Sequence, residues 1–381
     1  MTGHSSASPA GGLRPLVADA TARRAPPGLA AAVVTADGAV EFVTSGLADV
    51  GTSRPVTART TFLWFSMTKI VTATTAMMLA DRGALDLDAP VIGHVPEMGV
   101  LRGPGSLITA RHLLAHSSGL ANPPPIRWVR PAAAPPPDSR AFLARLLHRH
   151  RRLRSRPGET ACYSNLGYLV LGELITSCAG RPFGAFVRRE LLEPLGMSRT
   201  GFEHAQAPAD LATGYWRLPP GGRTALRLLL PPRIVGQRAG GLVAFRPFYV
   251  NGPPYGGLVG DVHDAARFLS LHLGEGAVGG QRLLSAESAV AMRTLTTPGS
   301  KLTTGLGWWR RHGVDDHGGG LVEHLGGGGA YRNLMRLYPD TGQAVVMFGN
   351  LTSYPVEQLT AAVLTPGTGP PWDPAATQPR T

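Results

Sequence analysis

Ser66 and Lys69 stand three residues apart in the segment Phe65-Ser66-Met67-Thr68-Lys69. At the start of a helix this spacing places both side chains on one face. A serine hydroxyl is a weak nucleophile until a nearby base removes its proton, and a lysine can act as that base when burial lowers its pKa. Lys69 and Lys301 are the only lysines, and every other cationic side chain is an arginine. Because arginine cannot be deprotonated in a protein, a lysine retained here favours a catalytic pair over a capping serine and a solvated lysine.

Two further segments carry groups that could assist such a pair. Tyr163-Ser164-Asn165 directly precedes an amphipathic pattern, so the phenol could relay a proton and the amide could orient a carbonyl or Lys69; a packed tyrosine followed by a helix cap is the structural alternative. His324 and Leu325 are followed by four glycines at positions 326–329. Glycine lets a substrate approach the backbone closely, and an N–H there could complete an oxyanion hole with that of Ser66. A flexible glycine loop is the alternative for this segment.

The order Ser-x-x-Lys, Tyr-x-Asn and basic-x-Gly resembles the serine β-lactamase and penicillin-binding protein superfamily. The flanking segments are similar to its class C branch, which includes esterases and D-aminopeptidases, at residues 112–120, 157–159, 193–197, 256–258 and 264–269. The resemblance covers roughly residues 25–365. It implies an α+β fold of the β-lactamase/transpeptidase type, with an antiparallel sheet flanked by helices and an inserted helical domain.

The resemblance also assigns roles to residues. It implies that Ser66 is the nucleophile and Lys69 its base or proton relay, that Tyr163 shares the proton transfer, and that Asn165 positions Lys69 or the acyl group. Gly327, which follows the triplet ending at Gly326, would supply the second oxyanion N–H. No cofactor or metal is needed. How Lys69 and Tyr163 divide the proton transfer stays open.

The third motif departs from the family pattern. β-Lactamases and peptidases of the superfamily typically have Lys-Thr-Gly or Lys-Ser-Gly there, whereas this chain has His324-Leu325-Gly326. A neutral imidazole and an isobutyl group bind a carboxylate less well than an ammonium and a hydroxyl. We therefore expect a small ester or amide as substrate, in an esterase-like reaction. The alternatives are a transacylase that passes the acyl group to an amine or alcohol in natural-product biosynthesis, a β-lactamase or D-peptidase, and a non-catalytic binding protein.

Composition excludes several other classes. The 381 residues include 49 Gly and 34 Pro, too few for a low-complexity chain, and no apolar run is long enough to span a bilayer. We see no signal peptide and only two cysteines, Cys162 and Cys178, so we expect a cytoplasmic protein. The net charge of +12 is explained by a bias toward arginine, and we expect no nucleic-acid partner. The basic run at 149–156 could still touch an anionic partner.

The pattern of elements predicts how these groups are positioned. A strand–turn–strand at 29–44, helices at 66–80, 165–178 and 265–273, and strands at 305–310, 334–338 and 344–348 are expected. Residues 215–255 are expected to be loops or a lid. We predict a discontinuous sheet domain at 13–65 and 256–368, a mostly helical domain with Pro-rich loops at 66–255, and flexible tails at 1–12 and 369–381. The oligomeric state is not predicted.

Overall fold

The computed structural model describes residues 11–202, 209–314 and 320–361. Most of the expected flexible tails, residues 1–10 and 369–381, and the expected domain end at residue 368 lie outside these described residues.

Short strands and helices alternate along the described chain. The strands are β1 (Gly28–Thr35), β2 (Val40–Asp49), β3 (Arg54–Pro55), β4 (Phe62–Leu63), β5 (Val129–Pro131), β6 (Tyr215–Trp216), β7 (Val235–Ala239), β8 (Leu242–Phe245), β9 (Phe248–Val250), β10 (Val259–Gly260), β11 (Ala277–Val278), β12 (Gln281–Arg282), β13 (Thr297–Pro298), β14 (Leu302–Thr304), β15 (Trp309–Arg311), β16 (Val322–Gly328), β17 (Tyr331–Tyr338) and β18 (Gln343–Gly349). The helices are α1 (Leu13–Ala22), α2 (Thr68–Asp81), α3 (Ala110–Leu114), α4 (Ser139–Arg149), α5 (Asn165–Ala179), α6 (Phe183–Val187), α7 (Gly222–Leu229), α8 (Pro253–Gly256), α9 (Val262–Leu273), α10 (Ala286–Arg293) and α11 (Val356–Ala361).

One antiparallel sheet organises the fold. Its strands follow the order β13-β14-β15-β16-β17-β18-β1-β2-β3, so a strand from the start of the chain pairs with one from its end, as the sequence predicted. Strand β1 is apolar and almost wholly buried, which is expected when both faces of a strand are covered. Alternate residues of β1 face two cores. Ala30, Ala32 and Val34 pack into the large core with the helical region, and Leu29, Ala31 and Val33 pack with α1 and α11.

The helical region is built around α2 and α5, which pack on each other. Residues 68–79 of α2 are buried on every side, as in a helix enclosed by other elements. The Ser164 hydroxyl caps α5 by accepting from the Gly167 N–H, and Gly180 ends the helix with φ +62°. The predicted helices at 66–80 and 165–178 are confirmed, except that residues Phe65–Met67 form a 3₁₀ turn ahead of α2.

The expectation that residues 215–255 are loops is wrong. This stretch contains β6 to β9, α7 and α8, and β6, β8 and β7 form a three-stranded sheet. Strand β9 pairs with β5, which lies in the Pro-rich segment at residues 122–137. These strands are two to five residues long, too short for a hydrophobic period to emerge, and pairing between distant segments decides them. Similarly, the strand expected at 305–310 begins only at Trp309, after Gly307 turns with φ +115°.

Within the described ranges, no helix combines the length and the apolar character that crossing a bilayer requires.

Candidate active site

Ser66 lies in the 3₁₀ turn where β16 passes the start of α2. A Cβ added to Gly326 of β16 would lie 2.2 Å from the Trp64 carbonyl oxygen, so the strand can run against this turn only because the residue is glycine. The side chain of Asn333 fixes the other side by donating to the Leu63 carbonyl at 2.8 Å. Phe65, directly before Ser66, has φ +48°, a strained conformation for a bulky residue that is typical of functional turns. Ser66 itself is half-buried, so its hydroxyl is within reach of a ligand.

Lys69 is fully buried one turn further along, with its Nζ 3.3 Å from the Ser66 Oγ. Its Nζ also donates to the Asn165 Oδ1 and to the Tyr255 carbonyl oxygen, both at 2.8 Å. Burial lowers the pKa of the Lys69 amine well below its usual value. Among the described residues no carboxylate pairs with it, so no opposite charge offsets the cost of burying the ammonium form. Burial therefore favours the neutral form of the amine.

The hydrogen bonds of Lys69 determine where its lone pair points. A neutral amine has two N–H donors, and the two oxygen atoms at 2.8 Å accept them. In that form the lone pair of Lys69 can accept the proton of its third neighbour, the Ser66 hydroxyl, whose Oγ lies at 3.3 Å. The cluster can thus remove a proton from Ser66 without any rearrangement of the lysine.

Tyr163 completes the cluster from the other side of Ser66. Burial raises the pKa of the Tyr163 phenol above its ordinary value, and its hydrogen bond with Ser66 acts in the opposite direction. The ring is held between two others, with the His116 centroid at 4.6 Å and the Trp309 centroid at 5.4 Å. The Lys69 Nζ lies 4.7 Å from the Tyr163 ring centroid. The phenol is protonated at neutral pH and is positioned to give up a proton.

His324 is fully buried on β16, next to this ring cluster. Its Nδ1–H donates to the Leu325 carbonyl at 2.8 Å, which leaves the lone pair on Nε2. Burial, followed by the nearby Lys69, lowers the pKa of the imidazole to about 3. The His324 Nε2 and the Trp309 Nε1 are both buried, and neither has a hydrogen-bond partner in the part of the chain that the structure describes. Both atoms are closed to solvent and lie beside the catalytic cluster.

The remaining expected site residues converge on the same place. Asn165 is buried at the first position of α5, where its N–H donates to the Asn122 Oδ1 at 3.1 Å. A Cβ added to Gly327 would meet no atom within 4 Å, so the β16 backbone opens into free space directly after Gly326. The structure thus brings together Ser66, Lys69, Tyr163, Asn165, His324, Gly326 and Gly327.

Three contributors were not predicted from the sequence. The Tyr255 carbonyl is a backbone group, so residue type carries no signal for it, although the neighbouring Gly256 and Gly257 were noted. Trp309 follows Trp308 in the sequence, and this pair matches none of the motifs that pointed to the site. His116 lies in the segment 112–120 that resembles the family, but the sequence assigned it no role, and in the structure its ring packs on Tyr163.

Comparison with known proteins places this geometry in context. The sequence model of the family described as Beta-lactamase matches residues 13–371. Protein Rv1367c of Mycobacterium tuberculosis is 30% identical over 268 residues, which cover 65% of this chain and 63% of that protein. The chain therefore spans less than two thirds of the length of that relative.

Two other comparisons bear on activity and on fold. The esterase EstB of Burkholderia gladioli is 34% identical over 183 residues, 45% of each chain. The structure of the octameric penicillin-binding protein homologue from Pyrococcus abyssi superposes with a TM-score of 0.74 at 26% identity, over 92% of this chain and 76% of that one.

Proposed function

The chain belongs to the Beta-lactamase family of serine hydrolases, and we propose that it forms an acyl-enzyme on Ser66 and hydrolyses a small, uncharged ester or amide. The observation that carries this proposal is the fully buried Lys69, whose Nζ lies 3.3 Å from the Ser66 Oγ and whose pKa is lowered by burial. The similarity to an esterase supports the same reaction class.

The proposed mechanism uses each group in the form in which burial holds it. Ser66 Oγ attacks the acyl carbonyl while its proton passes to the Lys69 Nζ. The N–H groups of Ser66 and Gly327 stabilise the oxyanion. Tyr163 gives its proton to the leaving alcohol or amine, and the resulting phenolate takes up the proton from Lys69. Water then attacks the acyl carbonyl in the reverse sequence, which releases the acid and restores the Ser66 hydroxyl.

The substrate class follows from His324 and Leu325. An imidazole with a pKa of about 3 is neutral at physiological pH, and the side chain of Leu325 offers no hydroxyl. A carboxylate next to the scissile bond would find no charge-assisted hydrogen bond there. We therefore rank β-lactam and D-peptide hydrolysis below ester or amide hydrolysis.

Acyl transfer to an amine or alcohol is the second candidate. Transfer requires that water be excluded from the acyl-enzyme. The Pro-rich segment packs against the site, because the Trp128 ring meets the Tyr255 ring edge-on at 5.5 Å and the Tyr255 carbonyl accepts from Lys69. This contact favours a covered site. If the protein is a transacylase, we further expect a role in natural-product biosynthesis and a cytoplasmic location. Cell fractionation tests the location.

A partition experiment tests the proposal and separates the two candidates. The protein is incubated with p-nitrophenyl acetate, with and without a panel of amines and alcohols, and both acid and transfer products are quantified. If wild type releases acid and an equal concentration of Ser66→Ala does not, the result supports hydrolysis. If added amine replaces acid by amide while the rate of p-nitrophenol release stays constant, the result supports transfer. Equal turnover by wild type and Ser66→Ala would overturn both.

A further inference from the structure

A pocket walled by arginines lies outside the catalytic cluster. It has a cavity volume of about 730 Å³. We call it the arginine pocket, and its lining is Arg102, Ala121 and residues 148–154, which include Arg149, Arg151, Arg152 and Arg154. Ala121 and Leu153 are the only apolar residues in this lining.

The backbone builds the pocket from two segments that are distant in sequence. Helix α4 ends at Arg149, and the chain continues extended, with the Arg102 N–H donating to the Arg151 carbonyl at 2.8 Å and the Arg154 N–H donating to the Gly119 carbonyl at 2.7 Å. Because successive side chains of an extended segment alternate, Arg152 and Arg154 project on the same, exposed side. They are separated by about 6.6 Å along the chain, at ~3.3 Å per residue.

The charge of this pocket is uncompensated. Other arginines of the chain pair with carboxylates, for example Arg111 with Asp88 at 2.7 Å and Arg140 with Glu97 at 2.6 Å. Within the described ranges, none of the five guanidinium groups of the arginine pocket forms an ion pair. Five like charges around one cavity repel each other, and a bound anion relieves that repulsion.

We propose that the arginine pocket binds a small anion that carries two or more phosphate groups. Planar guanidinium groups bind phosphate oxygens in a bidentate manner, and neighbouring arginines can hold neighbouring phosphates of one ligand. Inorganic oligophosphate and a nucleoside diphosphate share this chemistry. A small anion is favoured over nucleic acid because the charges converge on a cavity instead of forming a stripe that could follow a backbone.

The pocket also borders the catalytic cluster. The Ala121 carbonyl accepts from the Ser164 hydroxyl at 3.0 Å, and the next residue, Asn122, accepts from the Asn165 N–H. The proposal does not depend on the acyl chemistry of Ser66, so a failure of either leaves the other standing.

Calorimetric titration with tripolyphosphate and with ADP, in low salt, tests the proposal. We compare wild type with Arg152→Gln/Arg154→Gln and with the control Arg227→Gln/Arg246→Gln, which removes two exposed arginine charges elsewhere. We expect the pocket variant to bind at least one of the two ligands at least tenfold more weakly than wild type, and the control to stay within twofold. Arg102→Gln, from the other segment, should also weaken binding. Because all these side chains are exposed, we expect the midpoint of thermal unfolding to be unchanged.

Two outcomes would overturn the proposal. One is equal affinity of wild type, pocket variant and control for both ligands, which would indicate attraction by the overall charge alone. The other is tighter binding of a single- or double-stranded DNA 20-mer than of either phosphate ligand, with loss in the pocket variant, which would assign the surface to nucleic acid.

Discussion

Replacing Asn165 by aspartate tests the neutral state of Lys69 with almost no change of shape. The Asn165 Oδ1 lies 2.8 Å from the Lys69 Nζ. A carboxylate at this position stabilises the ammonium form, and an opposite charge at such a distance shifts a pKa by about one to three units. The Lys69 pKa should therefore rise by about one to three units. This rise corresponds to about 1.4–4 kcal/mol in favour of the protonated form.

The consequence is a displaced pH profile. Because only the neutral amine can accept the Ser66 proton, kcat/KM rises with pH as Lys69 loses its proton. In Asn165→Asp this rise should move to higher pH by the same one to three units, so activity on the acid side falls about tenfold to 1000-fold. It should recover toward the wild-type value at high pH, before the phenol of Tyr163, whose pKa is raised, ionises.

The assay is the pH dependence of kcat/KM for p-nitrophenyl acetate between pH 5 and 10. The matched control is Asn122→Asp, because this exposed side chain accepts from the Asn165 N–H and does not contact Lys69. We expect the control to shift the rise by less than half a unit. A uniform loss of activity in Asn165→Asp, with the rise at its wild-type pH, would refute a neutral Lys69 as the base.

Three other predictions concern His324 and the strand that carries it. Since the His324 pKa is about 3, acylation by penicillin G should not speed up between pH 8 and pH 5 relative to a neutral ester; a marked acceleration would show a protonated imidazole. Glu323 is buried and holds Arg311 and Arg336 at 2.6 and 3.0 Å, so Glu323→Ala should lower the free energy of unfolding by about 3–5 kcal/mol in urea titrations, whereas a loss below 1 kcal/mol would contradict this role. His272 and His324 are both neutral in the fold, with pKa values of about 3. Below pH 6.5 the unfolded chain binds protons that the fold excludes, and each such histidine accounts for a loss of about 1.6 kcal/mol between pH 6.5 and pH 5. In urea titrations over this range His272→Gln should therefore lose about 1.6 kcal/mol less stability than wild type, and an equal loss would contradict a neutral His272.

The sequence was most informative where the chemistry is local. Ser66 and Lys69 are one helical turn apart, so their spacing alone predicted their contact. The long apolar patterns of α2, α5, β1 and β18 predicted buried elements because burial in a large core imposes a period or a continuous apolar run. The strands predicted at 334–338 and 344–348 fall within β17 and β18.

The sequence was least informative where contacts are distant and made by the backbone. Lys69 reaches the Tyr255 carbonyl across 186 residues, and no residue type marks a carbonyl acceptor. Strands β6 and β8 pair through only two residues each, which is too few to give a strand pattern in the Pro- and Gly-rich stretch at residues 215–255. Trp309 could not be connected with Tyr163, because the two rings, stacked at 5.4 Å, belong to segments far apart in the sequence.

The most direct test of the central claim is the mass of the intact protein after brief exposure to p-nitrophenyl acetate, followed by peptide mapping. We expect one acetyl group, located on Ser66, in wild type. The adduct should be absent from Ser66→Ala and formed far more slowly in Lys69→Arg, since arginine retains the charge and cannot accept the proton. An acetyl group on another residue, or acylation of Lys69→Arg at the wild-type rate, would contradict a serine activated by a neutral lysine.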